Sequence, residues 1–277
     1  MKLFFRFIFV LLTLNLLFIS CSRDEIEDKS YDIGSNITIQ KYRAKYLEFP
    51  IGMYVENDKP EPDLVTLEFN NGKVSTKIGD FLYKSPSSGL STLFSKDVHA
   101  EIAYNENHII ITKKIINSEY SINYKKEFLL DKNQIKKSFF SQYASLDTIV
   151  YYYNNQRISK TITKMEYPRE ESLYYYNSKN NLDSIVIREY LYDNDTGTKY
   201  IDYKLKWRKK IIFSNYDNRK NPFKYLIFFD ESYYRALSAN NYQKITYQSI
   251  DGSGKIYYTN EKSWNLFYKN GEVDFSQ

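Results

Sequence analysis

What most constrains this chain is a pattern that returns from about Asn36 to the end. A short run of alternating apolar and polar residues meets a cluster of Asn, Asp, Gly or Lys, and a second apolar run follows. Leu64–Phe69 meets Asn70-Asn71-Gly72-Lys73, then Val74. Phe128–Leu130 meets Asp131-Lys132-Asn133-Gln134, then Ile135. Ile149–Tyr153 meets Asn154-Asn155-Gln156-Arg157, then Ile158, and Leu173–Tyr176 meets Asn177–Asn181, then Leu182. The same grammar recurs at Asp251–Gly254 and Lys269–Gly271. Asn, Asp and Gly tolerate positive φ, so they suit the tight turns whose twist matches paired strands. The flanking runs have the period of strands with one buried face. Tyr203, Leu205 and Trp207, alternating with Lys204, Lys206 and Arg208, are the clearest example; a slip of one residue there would bury the cations.

The expected fold is therefore all-β: an antiparallel meander of hairpins forming a curved sheet or a partly closed barrel. One or two short helices are expected near 222–237. There Asn221 is placed to cap, Pro222 suits a first turn, and Asp230-Glu231-Ser232 opens a second piece. Tyr153 and Tyr176 stand 23 residues apart, about two strands and two turns. The other intervals are uneven, which argues against a solenoid or propeller. Pro60 and Pro62 mark a loop, and Lys84–Gly89 another. No later linker interrupts the pattern, so residues 36–277 are expected to form a single antiparallel β domain.

The first 35 residues are of another kind. Lys2 precedes an apolar run, Leu3–Ile19, and the small residue Ser20 stands before Cys21, the chain's one cysteine. A charged start, an apolar stretch and a small residue at the cut make a secretory signal. Phe18-Ile19-Ser20-Cys21 resembles the end of a bacterial lipoprotein signal, with phenylalanine where leucine is usual. That resemblance implies cleavage after residue 20 and a lipid on Cys21, which would hold the protein to a membrane. The rival reading is a retained transmembrane helix, which would have to tolerate Arg6 and Asn15 inside the bilayer. Residues 21–35 are polar and carry no period, as in a flexible tether. The acidic cluster Asp24–Asp28 resembles the export signal of Bacteroidota lipoproteins carried to the outer surface of the outer membrane. A soluble linker and a periplasm-facing anchor remain the alternatives.

Loss of Lys2 and Arg6 with the leader lowers the formal charge from +5 to +3, too close to neutral to imply a nucleic-acid partner. With Cys21 lipidated, no thiol is left for a disulfide, a thiolate metal site or a cysteine nucleophile. The 29 tyrosines and 18 phenylalanines favour strands, but they also have AT-rich codons, so their number alone does not mark a binding surface. His99 and His108 have no metal-ligand spacing, and no nucleophile elbow, phosphate loop or dinucleotide fingerprint is present. Asp193-Asn194-Asp195-Thr196-Gly197 resembles half a calcium loop, with its glycine one place early and no closing acid. The basic run Lys204–Lys210 reads as a solvated strand face or as a strip for a nucleic acid or an anionic glycan. No cofactor, metal or catalytic residue is expected.

From Leu146 to Gln277 a second resemblance enters. Tyr216-Asp217-Asn218-Arg219-Lys220-Asn221-Pro222-Phe223, Leu237–Asn241, the strand Ile245-Thr246-Tyr247 and the Tyr-Tyr-Tyr-Asn turns at Asn154 and Asn177 are similar to Bacteroidota lipoproteins with YD-type hairpin repeats. Those are turn and packing residues, so the resemblance implies a fold and a location and carries over no catalytic group. The function expected is a non-enzymatic, lipid-anchored binding or structural module for a glycan or an envelope or external protein at the cell surface. Tyr174, Tyr176, Trp207 and Trp264 are the candidate contacts, each weighed against a place in the core. The alternatives are a periplasmic assembly lipoprotein and a polysaccharide hydrolase built on two carboxylates.

Overall fold

A computed structural model describes residues 33–34, 36–47, 53–55, 63–82, 92–116, 124–142, 145–164, 168–191 and 204–277. Alternating apolar runs become strands: β1 (Lys41–Arg43), β2 (Met53–Val55), β3 (Leu64–Asn70), β4 (Lys73–Leu82), β5 (Thr92–Asn105) and β6 (His108–Ile115). Next come β7 (Tyr124–Asp131), β8 (Gln134–Gln142), β9 (Ser145–Asn154), β10 (Arg157–Lys164) and β11 (Pro168–Tyr176). β12 (Leu182–Leu191), β13 (Lys204–Tyr216), β14 (Tyr242–Ile250) and β15 (Ile256–Ser263) complete the sheet. A small separate hairpin joins β16 (Tyr268–Lys269) to β17 (Glu272–Val273). Fourteen strands run in the order β1, β3, β4 and so on to β15, each antiparallel to its neighbour; β2 pairs parallel with β5 off that path. The expected meander is what forms, and it stays open: β1 and β15 are its two edges.

The turns fall where the Asn-rich clusters stand. Asn71-Gly72, Lys132-Asn133 and Asn155-Gln156 all have positive φ, as a two-residue hairpin with the sheet's twist requires. Lys132 and Gln156 are the unexpected members, since side chains of their kind adopt this conformation at a cost. The loops at Pro60–Pro62 and Lys84–Gly89 lie outside the described residues.

The spacing of 23 residues proves local but structural. Tyr153 Oη donates to the carbonyl of Ile135 (2.9 Å), and Tyr176 Oη, 23 residues on, donates to that of Ile158 (3.1 Å). On the same face Ser138 Oγ meets Tyr151 Oη at 3.2 Å, and Thr161 Oγ1 meets Tyr174 Oη at 3.2 Å. Two successive strand pairs, β8–β9 and β10–β11, are thus built alike. β12–β13 keeps one rung: Tyr216 Oη donates to the Leu182 carbonyl. Each of these hydroxyls finds a partner, so tyrosine can fill a core that would otherwise reject its polar end.

Residues 217–241 leave the sheet and cross its buried face. Phe223 packs edge-on to Tyr42 of β1 and to Phe275, Tyr233 packs on Tyr174 of β11, and Tyr234 packs on Phe213 of β13. Ser238 Oγ accepts the Leu182 N–H. One segment touching β1, β11, β12 and β13 requires the sheet to curl around it. No helix starts at Pro222. Asn221 instead ties the segment together: its side chain accepts the Phe223 N–H and donates to the carbonyls of Arg235 and Ser238. The expected second piece does form, as a 3-10 turn at Asp230–Ser232 leading into α1 (Tyr233–Ala236).

The two edges are drawn together by the chain termini of the domain. The Arg43 N–H donates to the Phe275 carbonyl (2.7 Å), Lys262 Nζ to Leu47 (2.8 Å) and the Trp264 indole to Lys45. Among the described residues no helix is long and apolar enough to cross a membrane.

Candidate functional site

The most concentrated chemistry lies where the crossing segment meets β4, β6 and β7. Gly79 makes a bulge in β4, with φ +88°, and a Cβ there would stand 2.8 Å from the Phe94 ring. The bulge brings Asp80 to the same buried side as Lys77, and their charged atoms lie 3.0 Å apart. Lys113 of β6 pairs with the same carboxylate at 2.9 Å. From the crossing segment, Glu231 pairs with Lys77, and Asp230 pairs with Lys126 of β7 and accepts the Tyr124 hydroxyl at 3.2 Å. Lys77 Nζ also lies 4.5 Å above the Phe229 ring.

Burial pulls the Lys77 ammonium down to about 8, against the opposing pull of Asp80. Burial likewise penalises the Asp80 carboxylate, but Lys113 and Lys77 outweigh it and hold its pKa below the ordinary value. Three cations and three carboxylates therefore neutralise one another. The arrangement clasps the crossing segment to the sheet and presents no free acid or base. Four residues beyond Glu231, Arg235, fully buried, donates to the carbonyls of Tyr46 (2.7 Å) and Tyr242 (3.1 Å). Its guanidinium lies 4.2 Å from the Tyr242 ring centre and 4.8 Å from that of Trp264.

The opposite face of the sheet is the accessible one. Tyr152 and Tyr175 are 43 % and 47 % exposed, one residue along from the buried Tyr151 and Tyr174. Lys160 is paired with both Tyr152 and Leu173, which puts all three on this outer face, with its Nζ 4.6 Å from the Tyr152 ring centre.

Neither a family model nor a curated protein matches the sequence. Among solved structures the chain is similar to a porin-like protein from Bacteroides vulgatus ATCC 8482: 13 % identity, a TM-score of 0.46, covering 79 % of this chain and 90 % of that one. It is also similar to a porin-like protein from Bacteroides uniformis ATCC 8492: 11 % identity, a TM-score of 0.38, covering 76 % and 86 %.

The sequence-derived candidates scatter. Tyr174 is buried and bonded to Thr161 and Tyr233, and Trp264 is buried against Tyr242 and Arg235. Tyr176 is half-buried, its hydroxyl spent on Ile158. Trp207 lies in β13 opposite Glu189, and its side chain is outside the described residues, as are Cys21, Tyr203 and the Asp193–Gly197 loop. His108 Nδ1 meets Glu127 at 2.5 Å, and among the described residues no group of three or more His, Cys, Asp or Glu is placed to hold a metal. A carboxylate pair that sequence alone did not single out is Glu170 of β11, directly opposite Glu189 of β12. Burial, and then Glu189, push the Glu170 carboxyl above its usual range in spite of Lys209.

Proposed function

We propose that this chain is an exported, lipid-anchored envelope protein whose β domain is a non-enzymatic module for binding a glycan or a protein. The anchor rests on Leu3–Ile19, Ser20 and Cys21. The observation that supports a binding module is the division between the two faces of the sheet. The inner face is covered by residues 217–241, clasped by ion pairs at Asp230 and Glu231 and by Arg235, so a partner meets the outer face, where Tyr152 and Tyr175 stand exposed.

Protease added to intact cells tests the location, with a Cys21→Ala variant and a periplasmic marker as controls. Digestion of this protein while the marker survives is the expected result. Survival until the outer membrane is opened would overturn the surface reading in favour of an envelope-assembly role inside the cell.

The Glu170–Glu189 pair favours one second reading, a polysaccharide hydrolase. Facing carboxyl groups, one with a raised pKa, are what acid–base cleavage of a glycosidic bond uses. Glycan turnover by the purified chain that is abolished in Glu170→Gln and in Glu189→Gln would establish it; absence of turnover across acidic and neutral polysaccharides would remove it.

A further inference from the structure

We propose that the outer face of β8–β13 is a binding platform for an acidic polysaccharide, with Arg188 and Arg208 as its anion-recognising pair. The proposal rests on the binding-module reading above and names the class of partner. Strand register carries it. Lys137, Val150, Ile162, Glu171, Arg188 and Arg208 are successive cross-strand partners from β8 to β13, and so share one face. The adjacent row on that face runs Tyr152, Lys160, Leu173, Val186 and Lys210. Tyr175 stands one further step along, two residues beyond Leu173 on β11.

Within this field Glu171 is shared between Arg188 Nη1 (3.2 Å) and Lys160 (3.9 Å). Arg188 and Arg208 face each other directly across β12 and β13. Like charges at opposed positions destabilise a strand pair. The Nε of each is buried and has no hydrogen-bond partner. Two arginines at opposed positions on adjacent rigid strands supply the planar donors that match a carboxylate. Lys160 and Lys210 extend the positive field along the next row. The aliphatic floor of Val150, Ile162, Leu173 and Val186 suits the C–H faces of sugar rings, and Tyr152 and Tyr175, two strands and so about 10 Å apart across the sheet, offer aromatic edges. A cationic field over an apolar floor fits a uronate polysaccharide better than a neutral one.

The test is binding of the purified mature chain to polygalacturonate, with a neutral β-glucan and anionic phospholipid vesicles in parallel. Binding to polygalacturonate that falls with added salt, and falls roughly tenfold in Arg188→Gln/Arg208→Gln, is expected. Lys210→Gln, at a half-buried position on the same face, should weaken it severalfold with the thermal midpoint nearly unchanged, which keeps the test informative should the double variant fold poorly. A Lys255→Gln variant, on the distant hairpin turn, should bind as the parent does. Binding to the neutral glucan alone, unaffected by these substitutions, would overturn the acidic platform and leave the binding-module reading standing. Binding to anionic vesicles alone would overturn it in favour of a lipid phosphate. Binding to none of the three would overturn it as well, while protease digestion of intact cells separately decides the broader reading.

Discussion

Tyr151 and Tyr152 are neighbours in one strand, Tyr174 and Tyr175 in another, and the fold treats the members of each pair in opposite ways. Tyr151 and Tyr174 are buried, with Ser138 and Thr161 satisfying their hydroxyls; Tyr152 and Tyr175 are nearly half exposed. Residue type, strand and turn are the same within each pair. Parity along the strand alone decides, because successive side chains leave a strand on opposite faces. The lesson extends to charge. Lys77, Lys113 and Lys126 on the inner face are sealed into a neutral cluster with Asp80, Asp230 and Glu231, whereas Lys137, Lys160, Arg188, Arg208 and Lys210 share the outer face with Glu171.

The largest way to break this contrast is in the inner cluster. Lys77→Met leaves Glu231 buried without its cation and should cost about 3–5 kcal/mol, read as a shift in the denaturation midpoint. Adding Glu231→Leu to that variant should recover much of the loss, since an apolar pair replaces a lone charge. If the double variant is no more stable than the single one, the pairing has been misassigned.

Next in size is the tyrosine comparison itself. Tyr174→Ala should destabilise by about 3–4 kcal/mol, in the range for a large core aromatic, and Tyr175→Ala by well under 1 kcal/mol, as for an open surface position. Equal losses would remove the distinction between the faces.

The pH dependence sharpens the picture on the inner side. Folding lowers the Lys77 pKa from 10.5 to about 8, so above pH 8 the unfolded chain holds the extra proton and stability should rise with pH. Above pH 10 the sign reverses. Burial raises the pKa of Tyr151 and Tyr174, so unfolded tyrosines ionise while folded ones stay neutral. A stability maximum near pH 10 is expected, and Lys77→Met should abolish its rising limb. A flat profile over pH 8–10 in the parent protein would contradict the burial of Lys77.

The smallest effect expected is at a turn. Gln156 holds a φ of 63°, and Gln156→Gly should stabilise the β9–β10 hairpin by about 0.5–1 kcal/mol. A loss of stability would mean that the Gln156 side chain makes a contact worth more than its strain.

Much of the architecture was legible in the residues. The Asn-rich clusters at 70–73, 131–134 and 154–157 mark three hairpins because few other sequences accept positive φ, and the alternating runs around them give strands. The site was far less legible. The charge cluster joins Lys77 to Glu231 across 154 positions of sequence, and Asp80 joins it through the Gly79 bulge, which breaks the period-2 rule that would have placed Lys77 and Asp80 on opposite faces. Glu170 meets Glu189, and Arg188 meets Arg208, only once the register of three strands is known; the long connection before Lys204 hides the latter. Pro222 suggested a helix start because its φ suits one, yet Asn221 spends its side chain on Arg235 and Ser238, and the chain turns instead.

Tyrosine footprinting of the folded mature domain tests the two-faced sheet most directly. Brief nitration followed by peptide fragmentation resolves adjacent tyrosines. The account predicts that Tyr152 and Tyr175 react readily while Tyr151 and Tyr174 react only on unfolding. Reaction of Tyr151 and Tyr174 in the native protein at the rates of their neighbours would contradict it.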